Sequence, residues 1–244
     1  MPTTPAPSVA RIRRVLRREA SPERAALVAR YFNTGPGEYG EGDRFLGLTL
    51  PQLRRVARES DGLPLAGIVR LLESPWHEER TVAVLVLVRR FARADRTIRR
   101  QIFELYLRHR RFVNNWDLVD LSAGPILGPY LTSPSGARVR RLARSRNVWD
   151  RRMAVLATSY EIREGRYDAT LDVAAGLLSD DHDLIHKAVG WMLREVGKRD
   201  RPRACRFLDR HGARMPRTML RYAVERFPPA LRRRYMRRGK PRGR

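Results

Sequence analysis

FVNNWDLVDLSAGPIL, residues 112–127, holds the phrase NNWDLVD at 114–120, and a close echo of it, NVWDRRM, follows at 147–153. The four tryptophans stand at 76, 116, 149 and 191, with separations of 40, 33 and 42 residues. A spacing near 40 built on paired helices is the signature of HEAT-like or armadillo-like repeats. Around these phrases the apolar periodicity is helical nearly everywhere, and no alternating run is bounded by hairpin turns. It predicts helices over 8–19, 22–33, 50–59, 63–73, 76–93, 95–109, 115–131, 135–144, 149–164, 168–178, 183–198, 201–211, 215–227 and 228–237. The expected fold class is all-α, an α-α superhelix (solenoid) of degenerate HEAT-like or armadillo-like repeats with a concave basic face. A compact multi-helix domain is the alternative that the degenerate repeats leave open.

Several of these helices carry start signals. Ser21-Pro22, Ser74-Pro75 and Ser133-Pro134 each put a capping oxygen before a proline suited to a first turn. Asp95, Asp168 and Asp200 are placed to cap the helices that follow. Gly62, Gly165 and Gly212 fall between helices. The expected organisation is a short disordered leader over 1–7, a single helical-repeat domain over 8–237 and a basic disordered tail over 238–244.

The charge balance points to a polyanion. Lys and Arg number 51 against 26 Asp and Glu, for a net charge of +25 and a pI near 11.5. Only Lys187, Lys198 and Lys240 are lysines. A GC-rich genome would favour Arg over Lys, yet it leaves the excess of bases over acids unexplained. Nucleic acid is the partner such a surface fits. The single cysteine, Cys205, allows no internal disulfide, as is usual for cytoplasmic proteins. No apolar run approaches the roughly 18 residues of a membrane span, and MPTTPAPSVARIRR lacks the apolar centre of a secretory signal. A cytoplasmic, nucleoid-associated monomer is expected.

One long segment, TGPGEYGEGDRFLGLT at 34–49, breaks the helical pattern. It contains GPGEYG, a literal G-x-G-x-x-G. The dinucleotide reading fails, because that fingerprint needs a preceding strand and here a helix precedes. Glu38, Glu41 and Asp43 would also repel phosphate. An ordered connecting loop folded against Arg44 and the next helix is expected, with a role in partner contact left open.

The chemistry-bearing residues gather around the two WD phrases. Trp116 and Asp120 are i and i+4, so an aromatic plane and a carboxylate share one helix face. Asp120 is either the partner of one of the many arginines or a carboxylate that stabilises developing positive charge in a polyanion groove. Asp117, at the helix start, suits a cap. Trp149 reads as core. Core packing between repeats is the alternative for Trp116 and Trp191 too; Trp191 has Gly190 beside it and Lys187, Arg194 and Lys198 at neighbouring positions, so it can also stack on a base or face a cation. Arg138, Arg140, Arg141, Arg144, Arg146, Arg151 and Arg152 form a basic stripe suited to bidentate phosphate contact, or to a solvated face. The tail LRRRYMRRGKPRGR suits non-specific phosphate affinity, or is simply a solvated tail. His182 and His186 could chelate a metal, but no third ligand is evident and no metal is expected. Nothing requires a Schiff-base role for Lys187, and Cys205 has no His partner in sequence.

RYFNT, FVNNWDLVDLSA, NVWDRRMAVLATSYEIREG, HDLIHKAVGWMLREVGKRD and RMPRTMLRYAVERFP, in this order, resemble the DNA alkylation repair family of HEAT-like-repeat, AlkD-type alkylpurine DNA glycosylases. The resemblance runs over roughly residues 20–230. It implies excision of positively charged N-alkylated purines, chiefly 3-methyladenine and 7-methylguanine, from double-stranded DNA, without a cofactor and without lyase activity. By motif, Trp116 resembles the family's groove Trp and Asp120 its catalytic Asp. Arg152 resembles an Arg that contacts phosphate near the lesion, Trp191 a second aromatic, and Tyr31 a further contact residue. Lys187, Arg194, Arg151 and Arg144 complete the expected DNA-binding set. The family grips the backbone rather than filling a deep base pocket, so no deep purine slot is expected. The 34–49 loop departs from the typical pattern in its length and points to a distinct branch; some branches bind unusual DNA without glycosylase activity. A helical-repeat protein-interaction module is the remaining alternative.

Overall fold

The computed structural model describes residues 7–132 and 136–238. The leader up to residue 6, the Ser133-Pro134 cap and the tail from residue 239, with Lys240, lie outside the described residues. Within them the chain is all-helical, apart from loops and a single parallel bridge between Arg44 and Trp76. It divides into two compact units, Met1–Ser122 and Ala123–Arg244.

The first unit contains α1 (Val9–Arg18), α2 (Pro22–Tyr31), α3 (Leu50–Glu59), α4 (Leu65–Leu72), α5 (His77–Arg93), α6 (Arg96–His109), a 3-10 turn (Arg110–Phe112) and α7 (Trp116–Ser122). Helix α5 is its centre and packs against α1, α3, α4, α6 and α7. All residues from Thr81 to Leu87 are buried, so this stretch is enclosed on every side rather than along one stripe. Helix α2 is the opposite case: it has no buried residue, and Leu27 and Tyr31 are 66% and 67% exposed.

The second unit begins with a π-helical turn (Ala123–Leu127), followed by α8 (Gly128–Leu131), α9 (Ala137–Ala143), α10 (Val148–Ala157), α11 (Ser159–Arg163), α12 (Asp168–Gly176), α13 (Asp183–Arg199), α14 (Arg201–His211), a 3-10 turn (Gly212–Arg214), α15 (Arg217–Ala223) and α16 (Pro229–Arg238). Its centre is α13, which packs against α10, α12, α14 and α15. Gly190 makes the α13–α15 contact possible: a Cβ there would lie 2.5 Å from both the Met219 carbonyl oxygen and the Tyr222 Cβ.

Two expected helices are interrupted. In 115–131 the regular helix stops at Ser122, and Pro125, which has no N–H to donate, falls inside the π-helical turn. In 149–164 the break is at Thr158, whose hydroxyl donates 2.7 Å back to the Val155 carbonyl. The caps at Ser21, Asp95 and Asp200 form as the sequence implies. Two others do not. Ser74 accepts from the Trp76 amide and α5 starts only at His77, held by the bridge to Arg44. Asp168 is the first residue of α12 and pairs with Arg203 instead.

Gly124 and Gly128, one turn apart, let α10 and α11 approach closely. A Cβ on Gly128 would meet the Tyr160 Cβ at 2.3 Å and the Ala157 carbonyl oxygen at 2.8 Å. Neither atom can swing away. Gly128→Ala is therefore expected to cost about 1–3 kcal/mol through overpacking. The measurement is thermal unfolding, where each kcal/mol lowers the midpoint by about 2–4 °C in a chain of this size.

Candidate active site

The chain leaves α2 through Tyr31 and Phe32, and Asn33 takes a left-handed φ of 50°, a conformation that Asn tolerates. This turn sends Tyr31 outward and Phe32 inward. The Trp116 ring lies on Phe32 at 4.9 Å and 9°, with Tyr31 edge-on to Trp116 at 5.7 Å and 78°. Phe45, from the 34–49 loop, stacks on Phe32 at 5.2 Å, and the His77 ring lies 4.7 Å from Phe45 and 4.9 Å from Phe32. The result is an aromatic cluster running from buried His77 to half-buried Trp116 and exposed Tyr31. Such pairs contribute about 0.5–1.5 kcal/mol each beyond simple burial. Trp116 therefore has one face backed by a ring and its plane fixed.

Asp120 is half-buried one turn further along α7. Its charge reaches the buried hydroxyl of Tyr106. Burial pushes the Tyr106 phenol up; its 2.7 Å hydrogen bond with Ser122 opposes this, and the Asp120 carboxylate adds to the rise. Asp120 thus lies on the border between an apolar interior and solvent, where a carboxylate acts more strongly than in bulk water.

Beneath this face lies a buried ionic cluster. The first residues of α5, His77, Glu78, Glu79 and Arg80, are all buried, and each has a different commitment. His77 donates through Nδ1 to Asp43 (2.9 Å) and through Nε2 to Asp117 (2.8 Å). Glu78 accepts from the Leu46 and Gly47 amides at 2.9 and 2.7 Å. Glu79 pairs with Arg13 at 2.8 Å. Arg80 pairs with Asp43 and donates to the Ser74 carbonyl. Asn115 closes the cluster, donating to Asp43 at 3.1 Å while its oxygen accepts from the Trp116 amide at 2.8 Å. Burial works against the His77 charge, but the facing carboxylates of Asp117 and Asp43 raise its pKa to about 9. Burial likewise works against the Asp43 carboxylate; His77, Arg80 and Asn115 overcome it and hold the group below its ordinary value.

The sign of the pH dependence follows. The His77 pKa is raised from 6.5 to about 9, so its contribution to stability is complete below pH 6.5 and is lost as pH rises through about 9. Asp43 acts at the other end, where its contribution is lost as pH falls below the ordinary carboxylate value. The groups facing His77 are Asp43 from the loop, Asp117 from α7 and Arg80 from its own helix. The urea midpoint is expected to fall between pH 7 and 9.5 in the wild type and to be flatter over this range in His77→Gln.

The 34–49 loop is ordered by its own acids. Glu38 accepts from the Gly35 amide at 2.7 Å and Glu41 from the Gly37 amide at 3.0 Å. Asp43, which in sequence reads as a phosphate-repelling charge, has a side chain only 4% exposed. Asp117, at the helix start, accepts from the first-turn Leu118 amide at 2.8 Å and also from His77.

The remaining expected residues lie in the second unit. Trp191 is half-buried on α13, and Trp149 is buried at 7% exposure. Arg152 is buried and donates to the Leu184 carbonyl at 2.7 Å. Arg151 pairs with Asp180 at 2.7 Å and also donates to the Ser145 and Arg146 carbonyls. Lys187 pairs with Asp183 at 2.7 Å, and Arg194 pairs with Glu225. Arg144 is exposed at the end of α9, as are Arg138, Arg141 and Arg146 nearby. The His182 ring nitrogen accepts from the Leu184 amide and His186 bonds the Asp180 carbonyl, so both rings have local structural partners. The structure thus brings Tyr31 and Trp116 together, with Asp120 one turn along, and adds Phe32, Phe45, His77, Asp43 and Asn115. The one trace of this cluster in the sequence is HEER, four charged residues in succession at a helix start.

A family model described as DNA alkylation repair enzyme matches residues 12–227. The chain belongs to this family, which places it in the repair of alkylated DNA. It is also similar to a solved structure from Enterococcus faecalis, described as a predicted DNA alkylation repair enzyme, with 16% identity and a TM-score of 0.65. That match covers 86% of this chain and 97% of the other, and the likeness is one of fold. No curated protein matches the chain. Among the described residues, no helix is long and apolar enough to cross a membrane.

Proposed function

We propose that this protein is a monofunctional DNA glycosylase that hydrolyses the N-glycosidic bond of cationic N-alkylated purines, 3-methyladenine and 7-methylguanine, in duplex DNA. The observation that carries this reading is the Trp116 ring, fixed in its plane by Phe32, with the half-buried Asp120 carboxylate one turn along the same helix.

Alkylation gives the base a formal positive charge. When the glycosidic bond breaks, the electron pair goes to the base, which leaves neutral and needs no proton. The sugar becomes oxocarbenium-like, water adds at C1′, and its proton is released. Asp120 stabilises the cationic sugar and orients the water. Trp116 and Tyr31 present aromatic surface to the cationic nucleoside. No covalent step on an amine is invoked, and the pairing of Lys187 with Asp183 is in keeping with that. Arg144, with Arg138, Arg141 and Arg146, offers exposed guanidinium groups to phosphate. Arg152, Arg151, Lys187 and Arg194, already paired within the protein, contribute positive field and hold the helices that carry them. Trp191 takes the role of the second aromatic.

The test is incubation with methylated duplex DNA and chromatographic assay of the released bases. Release of free 3-methyladenine or 7-methylguanine without strand scission is the expected result. Tight, salt-sensitive binding with no release would make the protein a non-catalytic binder of damaged DNA.

A further inference from the structure

Two hydrogen-bonded routes lead from Asp43 to the first turn of α7. One passes from Asp43 through both nitrogens of His77 to Asp117, at 2.9 and 2.8 Å. The other passes from Asp43 through the Asn115 side chain to the Trp116 amide, at 3.1 and 2.8 Å. A third connection is by packing: the same loop supplies Phe45, which stacks on the Phe32 that backs Trp116. Asn115 is fully buried, and the Asp43 and His77 side chains are each 4% exposed, so water competes little for the bonds among these three; Asp117, at 20%, is the more open end. The routes end on two adjacent residues, the hydrogen-bonded ones on Asp117 and the Trp116 amide and the packed one on the Trp116 ring, and Asp120 follows one turn later.

We propose that Asp43 and His77 are positioning residues of the active site: they set the direction of the first turn of α7, and with it the Trp116 plane and the Asp120 carboxylate. The 34–49 loop is then part of the catalytic apparatus rather than a connection between α2 and α3. This rests on the reading of Trp116 and Asp120 as the residues that meet the cationic nucleoside. A residue that acts by aiming another affects the reacting geometry more than the grip on DNA, because a displacement of about 1 Å can cost about 10²-fold in rate. The proposal therefore separates kcat from KM.

The experiment compares full-length wild type with His77→Gln, Asp43→Asn and Asp117→Asn. Far-UV circular dichroism measures the folded fraction, and steady-state kinetics on methylated duplex give kcat and KM. The near-UV dichroism assigned to Trp116, obtained as wild type minus Trp116→Phe, reports the ring's surroundings without reference to activity. Expected in folded variants are a loss of the Trp116 band, a fall in kcat of about 10–100-fold and a KM within about threefold of wild type. A folded variant that keeps both the Trp116 band and the wild-type kcat overturns the proposal, as does a fall in kcat that merely tracks the unfolded fraction. If His77→Gln and Asp43→Asn do not fold, Asp117→Asn decides by the same readouts, since that side chain is 20% exposed and its substitution leaves the Asp43 pairs intact. If the wild type releases no base, the glycosylase reading falls on its own, and the Trp116 band still decides whether Asp43 and His77 position the ring.

Discussion

On the proposed reaction, Asp120→Asn is expected to fold, to bind duplex DNA and to excise 7-methylguanine about 10²–10³-fold more slowly than wild type. This is the range seen when one electrostatic group aimed at developing charge is removed. Asn has nearly the same shape as Asp and keeps an acceptor oxygen, so what is lost is the negative charge. That charge matters only once the glycosidic bond lengthens and the sugar turns cationic. In the proposed reaction the ground state is held by phosphate contacts elsewhere, and KM should stay within a few-fold of wild type. Affinity for undamaged duplex should rise slightly, because a negative charge has been removed from a surface facing phosphates. Single-turnover excision with enzyme in excess, on a duplex carrying one 7-methylguanine, measures the step directly. Equal rates for wild type and variant would remove Asp120 from the chemistry and leave its half-buried charge a structural group near Tyr106.

Asp43→Ala is expected to lower the stability of the protein by about 3–5 kcal/mol. Removing one partner of a buried pair leaves the others buried and uncompensated. Here the loss falls on Arg80, His77 and Asn115 together. His77 keeps Asp117, the larger source of its raised pKa, and loses only the part that Asp43 supplies, whereas Arg80, which cannot give up its proton, loses its carboxylate and keeps its bond to the Ser74 carbonyl. Asp43→Asn keeps acceptor capacity and should cost less. Urea unfolding near pH 7 distinguishes the two. A change below about 1 kcal/mol for the alanine variant would place the cluster among surface ion pairs, which contribute little.

The helices were legible because their signals are local. Ser21, Asp95 and Asp200 sit where an N-cap must be, and the apolar spacing between caps is that of a helix. Ser74 misled because the start of α5 is set by the bridge to Arg44, a residue 30 positions earlier, rather than by the nearest hydroxyl. The Trp116–Asp120 face was visible from spacing alone, and Tyr31 was reached through its resemblance to a known motif. What backs them was not visible. Asp43, His77 and Asn115 lie 34 and 38 residues apart in succession, and no periodic pattern links positions at that distance. An acid in a glycine-rich loop reads as solvent-facing until the structure shows three partners converging on it. The arginines have a related difficulty. Lys187 with Asp183 is a readable i,i+4 pair, whereas Arg151 with Asp180 and Arg194 with Glu225 depend on which helices become neighbours.

The four charges that open α5 also bear on how this part of the protein can change over time. His77, Glu78, Glu79 and Arg80 are committed to different segments, the loop, α1 and α7, so a substitution at any one strands a group somewhere else in the chain. Drift at these positions requires matched changes in two places at once. One turn further along, Thr81–Leu87 is almost entirely apolar, and exchanges that conserve volume there cost little. A single helix thus carries a stretch that can vary only by compensated pairs beside one that can vary residue by residue.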